Sequence, residues 1–301
     1  MCVGLMLALL VGVTKASAQQ PLTGYPRPIS SHEYARAPGD FVELLSPSVT
    51  GILVGMHYDG DHFVCTSAGP EQILLIDLAG SVFGIISIDT NTAGAAIDIT
   101  LDQAACGDSA QPCAYVVDNQ GGGGADEVDI YTNLGGYLTS FPLPLSSFTE
   151  GITFRPATGT LYILDSANPT AHVYEYALDG TLLTTHDLPE LSISPDGIVW
   201  DGPNHVFWIY DGTTDSLEMY TAGFAHLGTV PVDVIGQTGA AGEGIALVGE
   251  TAYIAEATSR TISGFDTAGA VPLPIGRVGV ALMCMALIAC FVRRTRPRVL
   301  P

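Results

Sequence analysis

Basic residues are scarce in this sequence. Its 301 residues include 10 Lys and Arg against 31 Asp and Glu, for a formal net charge of −21. Lys15 is the only lysine, and five of the nine arginines follow residue 276. The body of the chain thus has four arginines to balance all 31 acids. Such a surface repels phosphate backbones and excludes nucleic-acid binding. It suits divalent cations or basic partners, and equally a purely solubilising role.

Catalytic signatures are also absent from the sequence. No G-x-S-x-G nucleophile motif occurs, and the glycine run Gly121–Gly124 lacks the Lys-Ser/Thr pair of a phosphate-binding loop. We interpret that run as a loop between strands. The missing motifs favour a binding protein over an enzyme.

Cysteines are few, and three of the six lie in apolar terminal segments. Cys106 and Cys113 flank a short polar turn, which predicts a disulfide in an exported protein. A metal site is the alternative, but no further Cys or His lies at ligand spacing. Cys65 ends an apolar run and is interpreted as a buried residue.

The N-terminus has the pattern of an export signal. Residues 1–18 combine an apolar run with Ala16-Ser17-Ala18, a small-x-small cleavage site, and are predicted to be a signal peptide. Residues 19–39 are polar and contain four prolines, which is typical of an extended linker.

Between residues 40 and 269 the sequence repeats itself. Short β-rich runs with alternating polarity recur between Gly, Pro, Asn and Asp turns, four runs to a repeat. The clearest copy is Glu150–Pro189, and three successive first strands begin at Gly151, Gly197 and Gly244. A four-stranded meander cannot bury both faces alone, so the copies must stack.

These repeats predict an all-β fold, a β-propeller of four-stranded antiparallel blades. We count five blades, or six if residues 91–124 contain another. The last repeat lacks a fourth strand, and the unpartnered run Phe41–Leu45 precedes the first repeat. We therefore predict that this N-terminal strand completes the last blade and closes the ring.

The last segment, residues 270–301, breaks the repeat. An apolar run at about residues 275–292 is predicted to be a transmembrane helix, and the arginines that follow it place the C-terminus in the cytoplasm. A buried core helix is the alternative. Three features occur in order: a Val-Pro-Leu-Pro motif, the apolar run and an Arg cluster. The residues are Val271, Pro272, Leu273 and Pro274, followed by Arg293 and Arg294.

This tripartite tail resembles the sorting signal of PEP-CTERM proteins, in a VPLP variant. The resemblance covers about a tenth of the chain, and Arg277 within the apolar run departs from it. It implies export, anchoring in the inner membrane by the C-terminal helix, and processing by an exosortase-type enzyme. The protein would then reach the cell surface or the extracellular medium.

Acidic residues recur at the start of three first strands. Glu150, Asp196 and Glu243 each precede a Gly-Ile pair, whereas Thr50 and Ala95 take this place in the first two repeats. Inner strands line the channel of a propeller, so we predict that the three carboxylates converge there and bind Ca²⁺. The alternative is that each acid caps a turn and faces solvent.

The blades resemble NHL-like, SMP-30-like and phytase-like propellers, which include calcium-dependent hydrolases and lactonases. No set of catalytic residues carries over from these families. We therefore predict a binding module of the bacterial envelope or extracellular matrix, with a polysaccharide or protein ligand. The alternative is a Ca²⁺-dependent hydrolase that uses the three channel acids.

Overall fold

The computed structural model describes residues 36–270, except 70, 89–94, 103–111, 120–125, 133–134, 145–147, 167–169, 192–194 and 239–241. The predicted signal peptide, the first 17 residues of the predicted linker (19–35), the Gly121–Gly124 loop and the sorting tail lie outside the described residues. Among the described residues, no helix is long and apolar enough to cross a membrane.

The described residues form twenty strands in five four-stranded antiparallel sheets. The first strand of the chain is β1 (Phe41–Leu45). Blade one contains β2 (Ile52–Tyr58), β3 (Phe63–Ala68), β4 (Gln72–Ile76) and β5 (Val82–Ser87). Blade two contains β6 (Ala95–Asp102), β7 (Cys113–Asn119), β8 (Glu127–Thr132) and β9 (Tyr137–Pro142).

The next two blades follow the same plan. Blade three contains β10 (Thr149–Arg155), β11 (Thr160–Asp165), β12 (Ala171–Ala177) and β13 (Leu182–Leu188). Blade four contains β14 (Pro195–Asp201), β15 (Val206–Asp211), β16 (Ser216–Thr221) and β17 (His226–Pro231). Blade five combines β18 (Gly242–Val248), β19 (Thr251–Glu256) and β20 (Ile262–Asp266) with β1.

The N-terminal strand closes the ring as predicted. β1 pairs antiparallel with β20, with Phe41 opposite Phe265 and Leu45 opposite Ile262. The Tyr253 hydroxyl donates a hydrogen bond to Glu43 and so ties β1 to a third strand of the blade. The prediction of five blades closed by Phe41–Leu45 is confirmed, because the pairing leaves β20 with no free edge.

Apolar side chains fill the space between neighbouring blades. At the boundary of blades two and three, Tyr115 and Ile130 pack with Ile152 and Ile163 in one buried cluster. The outer strand β5 alternates between partly buried and exposed positions, because its outer face meets solvent. The second strands β11 and β15 are buried along their whole length, which explains their near-continuous apolar sequence.

Each inner strand has an irregular register near its start. The pairing of first and second strands shifts by one residue in all five blades. Four inner strands then carry a glycine, namely Gly55, Gly151, Gly197 and Gly244. A Cβ at Gly197 would approach the Glu243 carbonyl oxygen to 2.9 Å, and one at Gly244 would approach the Val54 carbonyl oxygen to 2.6 Å. Glycine thus lets neighbouring inner strands approach closely.

A one-turn helix, α1 (Val234–Thr238), follows blade four and was not expected from the sequence. Its free N–H groups are capped by two aspartates. Asp233 Oδ1 accepts from the Gly236 N–H at 2.7 Å, and Asp215 Oδ1 accepts from the Val234 N–H at 3.2 Å. Asp233 is an N-cap signal in the sequence, whereas the contribution of Asp215 depends on the fold.

Candidate functional site

The three predicted acids occupy the irregular position of their inner strands. In blades three and four, the residue skipped by the pairing register is Glu150 and Asp196, and in blade five the skipped pair includes Glu243. A β-bulge redirects a side chain out of the regular alternation. The three acids therefore begin three adjacent inner strands in equivalent positions at one end of the propeller, which we call the acidic end.

The register corrects the sequence alignment of the first two blades. The bulge of blade one lies at Val54 and that of blade two at Ile97, rather than at Thr50 and Ala95. The sequence alignment matched the first apolar residues of each strand. It could not reveal the extra residue that shifts the pairing between the first and second strands. Both equivalent positions are apolar, so blades one and two contribute no carboxylate at the bulge.

The three carboxylates influence one another electrostatically. The pKa of Asp196 is raised to about 9, chiefly by burial and in addition by the charges of Glu243 and Glu150. Burial also raises the pKa of Glu150 to about 7, with Glu243 adding to the rise. The pKa of Glu243 is raised by burial as well. The charges of Glu150 and Glu243 thus act on Asp196 and disfavour its ionisation. Among the described residues, however, the three carboxylates do not form a group within 4.8 Å of one another, so their convergence on one ion stays a prediction.

Two of these acids are oriented by hydrogen bonds. Ser166 Oγ donates to Glu150 Oε1 at 3.1 Å, which opposes the rise in the pKa of Glu150. The Gly212 N–H donates to Asp196 Oδ2 at 2.9 Å. A Cβ at Gly212 would lie 2.0 Å from that oxygen, so the contact requires glycine. Both side chains are thus held by hydrogen bonds, and both are partly buried.

The second strands add buried acids at the same end. They lie opposite the residue before each bulge, and all are at most 1% exposed: Asp118, Asp165, Asp211 and Glu256. Asp211 Oδ1 accepts from the N–H groups of Thr213 and Thr214 at 3.0 and 3.2 Å, so this acid caps the turn that follows. The recurring acid of the second strand therefore has a structural role in blade four.

A tighter group of carboxylates lies in blade two. One carboxylate oxygen from each of Asp118, Glu127 and Asp129 lies within 4.8 Å of the others. Burial raises the pKa of Asp129 to about 6; a hydrogen bond from Tyr131 opposes this, and the charges of Glu127 and Asp118 add to it. The sequence analysis did not identify this group. The available signal was the spacing of Glu127 and Asp129, which places them on one face of a strand.

Asp98 is a further residue that the sequence analysis missed. It takes the place that glycine has in the other four inner strands, and it is 2% exposed. Asp98 Oδ1 accepts from the N–H groups of Met56 and Ile99 at 3.0 and 2.8 Å, and Oδ2 accepts from the Ile152 N–H at 2.8 Å. One side chain therefore joins the inner strands of blades one, two and three.

Burial of Asp98 and its hydrogen bonds have opposite effects on its ionisation. The pKa of Asp98 is raised to about 8, because burial outweighs the three backbone donors, which lower it. The donors all stabilise the charged form. Its role is to hold the ring together, and its signal in the sequence was an aspartate in the column occupied by glycine in the other repeats.

His57 and His62 both lie close to Asp59 in the sequence and have different surroundings. Asp59 Oδ1 accepts from the Asp61 and His62 N–H groups at 2.9 and 2.8 Å, which stabilises the hairpin turn between β2 and β3. His57 is buried, and burial lowers its pKa to about 4. His62 instead contacts the Phe83 ring, with ring centroids 4.5 Å apart. The two imidazoles lie in different surroundings.

The predicted disulfide falls partly outside the described residues. Cys113, the first residue of β7, is disulfide-bonded, whereas Cys106 is not among the described residues. The pairing of these two cysteines stays a prediction. Cys65 is free and buried, as its apolar context indicated.

No family model and no curated protein matches the chain. Solved structures do resemble it. A chain of the nidogen/laminin complex has 18% identity and a TM-score of 0.52, with 72% of this chain and 77% of that chain covered. The glutaminyl cyclase of Myxococcus xanthus has 10% identity and a TM-score of 0.57, and the match covers 75% of this chain and 96% of the cyclase chain. A luciferin-regenerating enzyme has 11% identity and a TM-score of 0.50, and the match covers 74% of this chain and 80% of the enzyme chain. At these identities the likeness establishes the fold: the chain is a β-propeller.

Proposed function

We propose that the chain is an exported binding module whose acidic end binds Ca²⁺ through Glu150, Asp196 and Glu243. The bound ion would bridge the propeller to a polysaccharide or protein ligand that supplies further oxygen atoms. The observation that carries this proposal is the repetition of one bulged acid in three adjacent blades, at positions where the carboxylates repel one another.

Calcium is the cation that suits this arrangement. It takes six to eight oxygen ligands in flexible geometry, so three carboxylates from three strands leave positions for ligand or water oxygens. A bound cation would favour ionisation of all three groups and offset the effect of burial on their pKa values. The partners of a chain this acidic are then cations and anionic polymers bridged by them.

Calcium-dependent melting tests this proposal. We expect the EDTA-treated full-length chain to gain several degrees in melting temperature on addition of millimolar Ca²⁺, since a ligand that binds only the folded state stabilises it. The triple variant Glu150→Gln/Asp196→Asn/Glu243→Gln should gain less than wild type. Glu190→Gln, which removes one exposed charge elsewhere, is the control and should behave like wild type. Equal gains in the triple variant and wild type would contradict the channel site.

The route of export is a further part of the proposal. Residues 1–18 direct export, the apolar run at 275–292 anchors the chain in the inner membrane, and an exosortase-type enzyme cleaves near Val271–Pro274. Mass spectrometry of the exported form should find a C-terminus near this motif. An exported form that retains Arg293 and Arg294 would contradict processing, though not binding.

A second candidate is a Ca²⁺-dependent hydrolase of the lactonase or phytase type. It is favoured by the pKa of Glu150, raised to about 7, because a carboxyl that titrates near neutral pH can exchange protons with a substrate. Purified protein with Ca²⁺ should then hydrolyse a sugar lactone or phytate, and Glu150→Gln should abolish the activity. Binding of a polysaccharide without turnover of either substrate would favour the binding module.

A further inference from the structure

We propose that Asp118, Glu127 and Asp129 form a second Ca²⁺ site, at the boundary of blades one and two. It uses none of the three channel acids and does not depend on the function proposed for them.

Strand pairing forces the three carboxylates together. Asp118 on β7 is directly opposite Glu127 on β8, and Asp129 follows Glu127 by two residues. Directly opposed residues share one face of a sheet, as do residues two apart in a strand. Like charges in this arrangement are destabilising, yet one carboxylate oxygen of each residue lies within 4.8 Å of the others.

This face points toward blade one. Val116 and Tyr131 lie on the same face as the three acids, and both pack in a buried cluster with Val64 and Ile73 of blade one. The carboxylates thus lie at the polar end of an otherwise apolar boundary between blades. Asp118 and Asp129 are both fully buried, and Glu127 is partly exposed.

One buried carboxylate oxygen of the group, Asp129 Oδ1, lacks a hydrogen-bond donor among the described residues. Asp129 is 0% exposed, and its Oδ2 accepts from the Tyr131 hydroxyl at 2.9 Å. Its Oδ1 is buried and has no hydrogen-bond partner among the described residues. A buried carboxylate oxygen without a donor is costly, and such atoms in folded proteins call for a bound ion or water. A cation between the three acids satisfies it.

The surrounding chain offers no basic side chain to take that place. No Lys, Arg or His occurs between His62 and Arg155, a stretch that spans most of blade one and all of blade two. Glu71 of blade one is also near enough to raise the pKa of Asp129. The negative charge at this boundary therefore accumulates without a cation from the neighbouring sequence.

The donor set selects the kind of ion. Three carboxylates and no thiolate or imidazole favour a hard cation over zinc or copper. Ca²⁺ tolerates an irregular set of oxygens and takes its remaining ligands from carbonyls or water, whereas Mg²⁺ demands a near-ideal octahedron. A partly exposed Glu127 gives the ion a route to solvent.

The test separates this site from the channel. The background is the full-length chain with Glu150→Gln/Asp196→Asn/Glu243→Gln, freed of metal with EDTA and titrated with CaCl₂ by calorimetry and by thermal melting. We expect this background to bind Ca²⁺ and to melt at a higher temperature with it. Adding Glu127→Gln should weaken binding by about tenfold or more, because one charged ligand is lost.

Two comparisons complete the design. Without calcium, Glu127→Gln should melt slightly above the background, because the cross-strand repulsion is removed. Glu218→Gln, a change at the position of blade four equivalent to Asp129, should leave calcium affinity unchanged. The proposal is overturned if the background shows no calcium response, or if Glu127→Gln keeps the background affinity, whatever the result with Asp129→Asn. Since Glu127 is partly exposed, its variant decides the matter even if Asp129→Asn fails to fold.

Discussion

Blades two and four place acids at the same register positions and surround them differently. In blade two, Asp118 faces Glu127 and Asp129 follows on the same face. In blade four, the matching positions hold Asp211, Ser216 and Glu218. The difference lies in the partners available to each carboxylate.

Blade four satisfies its buried glutamate with side-chain donors. Glu218 Oε1 accepts from Ser216 Oγ at 2.8 Å, and Glu218 Oε2 accepts from Thr229 Oγ1 at 2.7 Å and lies 2.8 Å from His226 Nε2. In blade two the equivalent carboxylate, Asp129, has one tyrosine donor, and its neighbours on that face are further acids. The two carboxylates thus occupy the same register position, but their neighbours give them different hydrogen-bond partners.

The inner strands differ in a second way. Blade four carries Gly197 where the neighbouring strand approaches closely, whereas blade two carries Asp98, which joins three blades by hydrogen bonds to backbone N–H groups. Blade two thus contains both the group of three carboxylates and the aspartate that joins three inner strands.

The largest expected effect comes from removing that joint. Asp98→Ala leaves the N–H groups of Met56, Ile99 and Ile152 without their acceptor, so the free energy of unfolding should fall by about 3–5 kcal/mol. Asp98→Asn keeps one acceptor oxygen and should lose about 1–2 kcal/mol. Urea unfolding of both variants measures the difference. A loss under about 1 kcal/mol for Asp98→Ala would mean that the three N–H groups find other partners.

The next effect tests the contrast between the two carboxylate groups. Glu218→Ala breaks three polar contacts in blade four and should lower the free energy of unfolding by about 2–3 kcal/mol. Glu127→Gln in blade two, measured without calcium, should leave stability unchanged or raise it slightly, since it relieves repulsion. Changes in melting temperature of opposite sign for the two variants would support the difference between blades two and four. Equal losses of melting temperature in the two variants would contradict that difference.

The smallest effect is the pH dependence of stability. A carboxyl with a pKa raised by folding keeps a proton that the unfolded chain releases, so its stabilising contribution is lost as pH rises through the folded pKa. With pKa values of about 7 for Glu150, 8 for Asp98 and 9 for Asp196, stability should fall by about 1–2 kcal/mol between pH 8 and 9 in EDTA, mostly through Asp196. His57 adds little there, because its pKa is lowered to about 4.

Two variants assign this slope to the blades. Asp98→Asn should remove the share of blade two, and Asp196→Asn the share of blade four, so each should flatten the curve of melting temperature against pH. A slope that is unchanged in both variants would show that other groups carry it. Calcium should also flatten the curve, since it favours the ionised carboxylates.

The number of blades and the closure of the ring follow from the sequence. Alternating apolar residues between turn residues reveal each strand, and the unpaired run Phe41–Leu45 reveals the closing strand, because both signals are local or depend on simple counting. The recurring acids Glu150, Asp196 and Glu243 were visible for the same reason. Their equivalence across blades one and two was not, since a bulge adds a residue without changing the polarity pattern.

Only the tertiary structure decided which polar groups meet. Asp98 joins backbone groups 42 and 54 residues away, and Asp129 faces blade one rather than blade three. These contacts depend on the spacing between inner strands and on which sheet face turns toward which neighbour. Both are set by packing of whole blades, a long-range property that no local pattern in the chain encodes. The sequence determined a closed five-bladed propeller rich in acids, and the packing of its blades determined which of those acids act together.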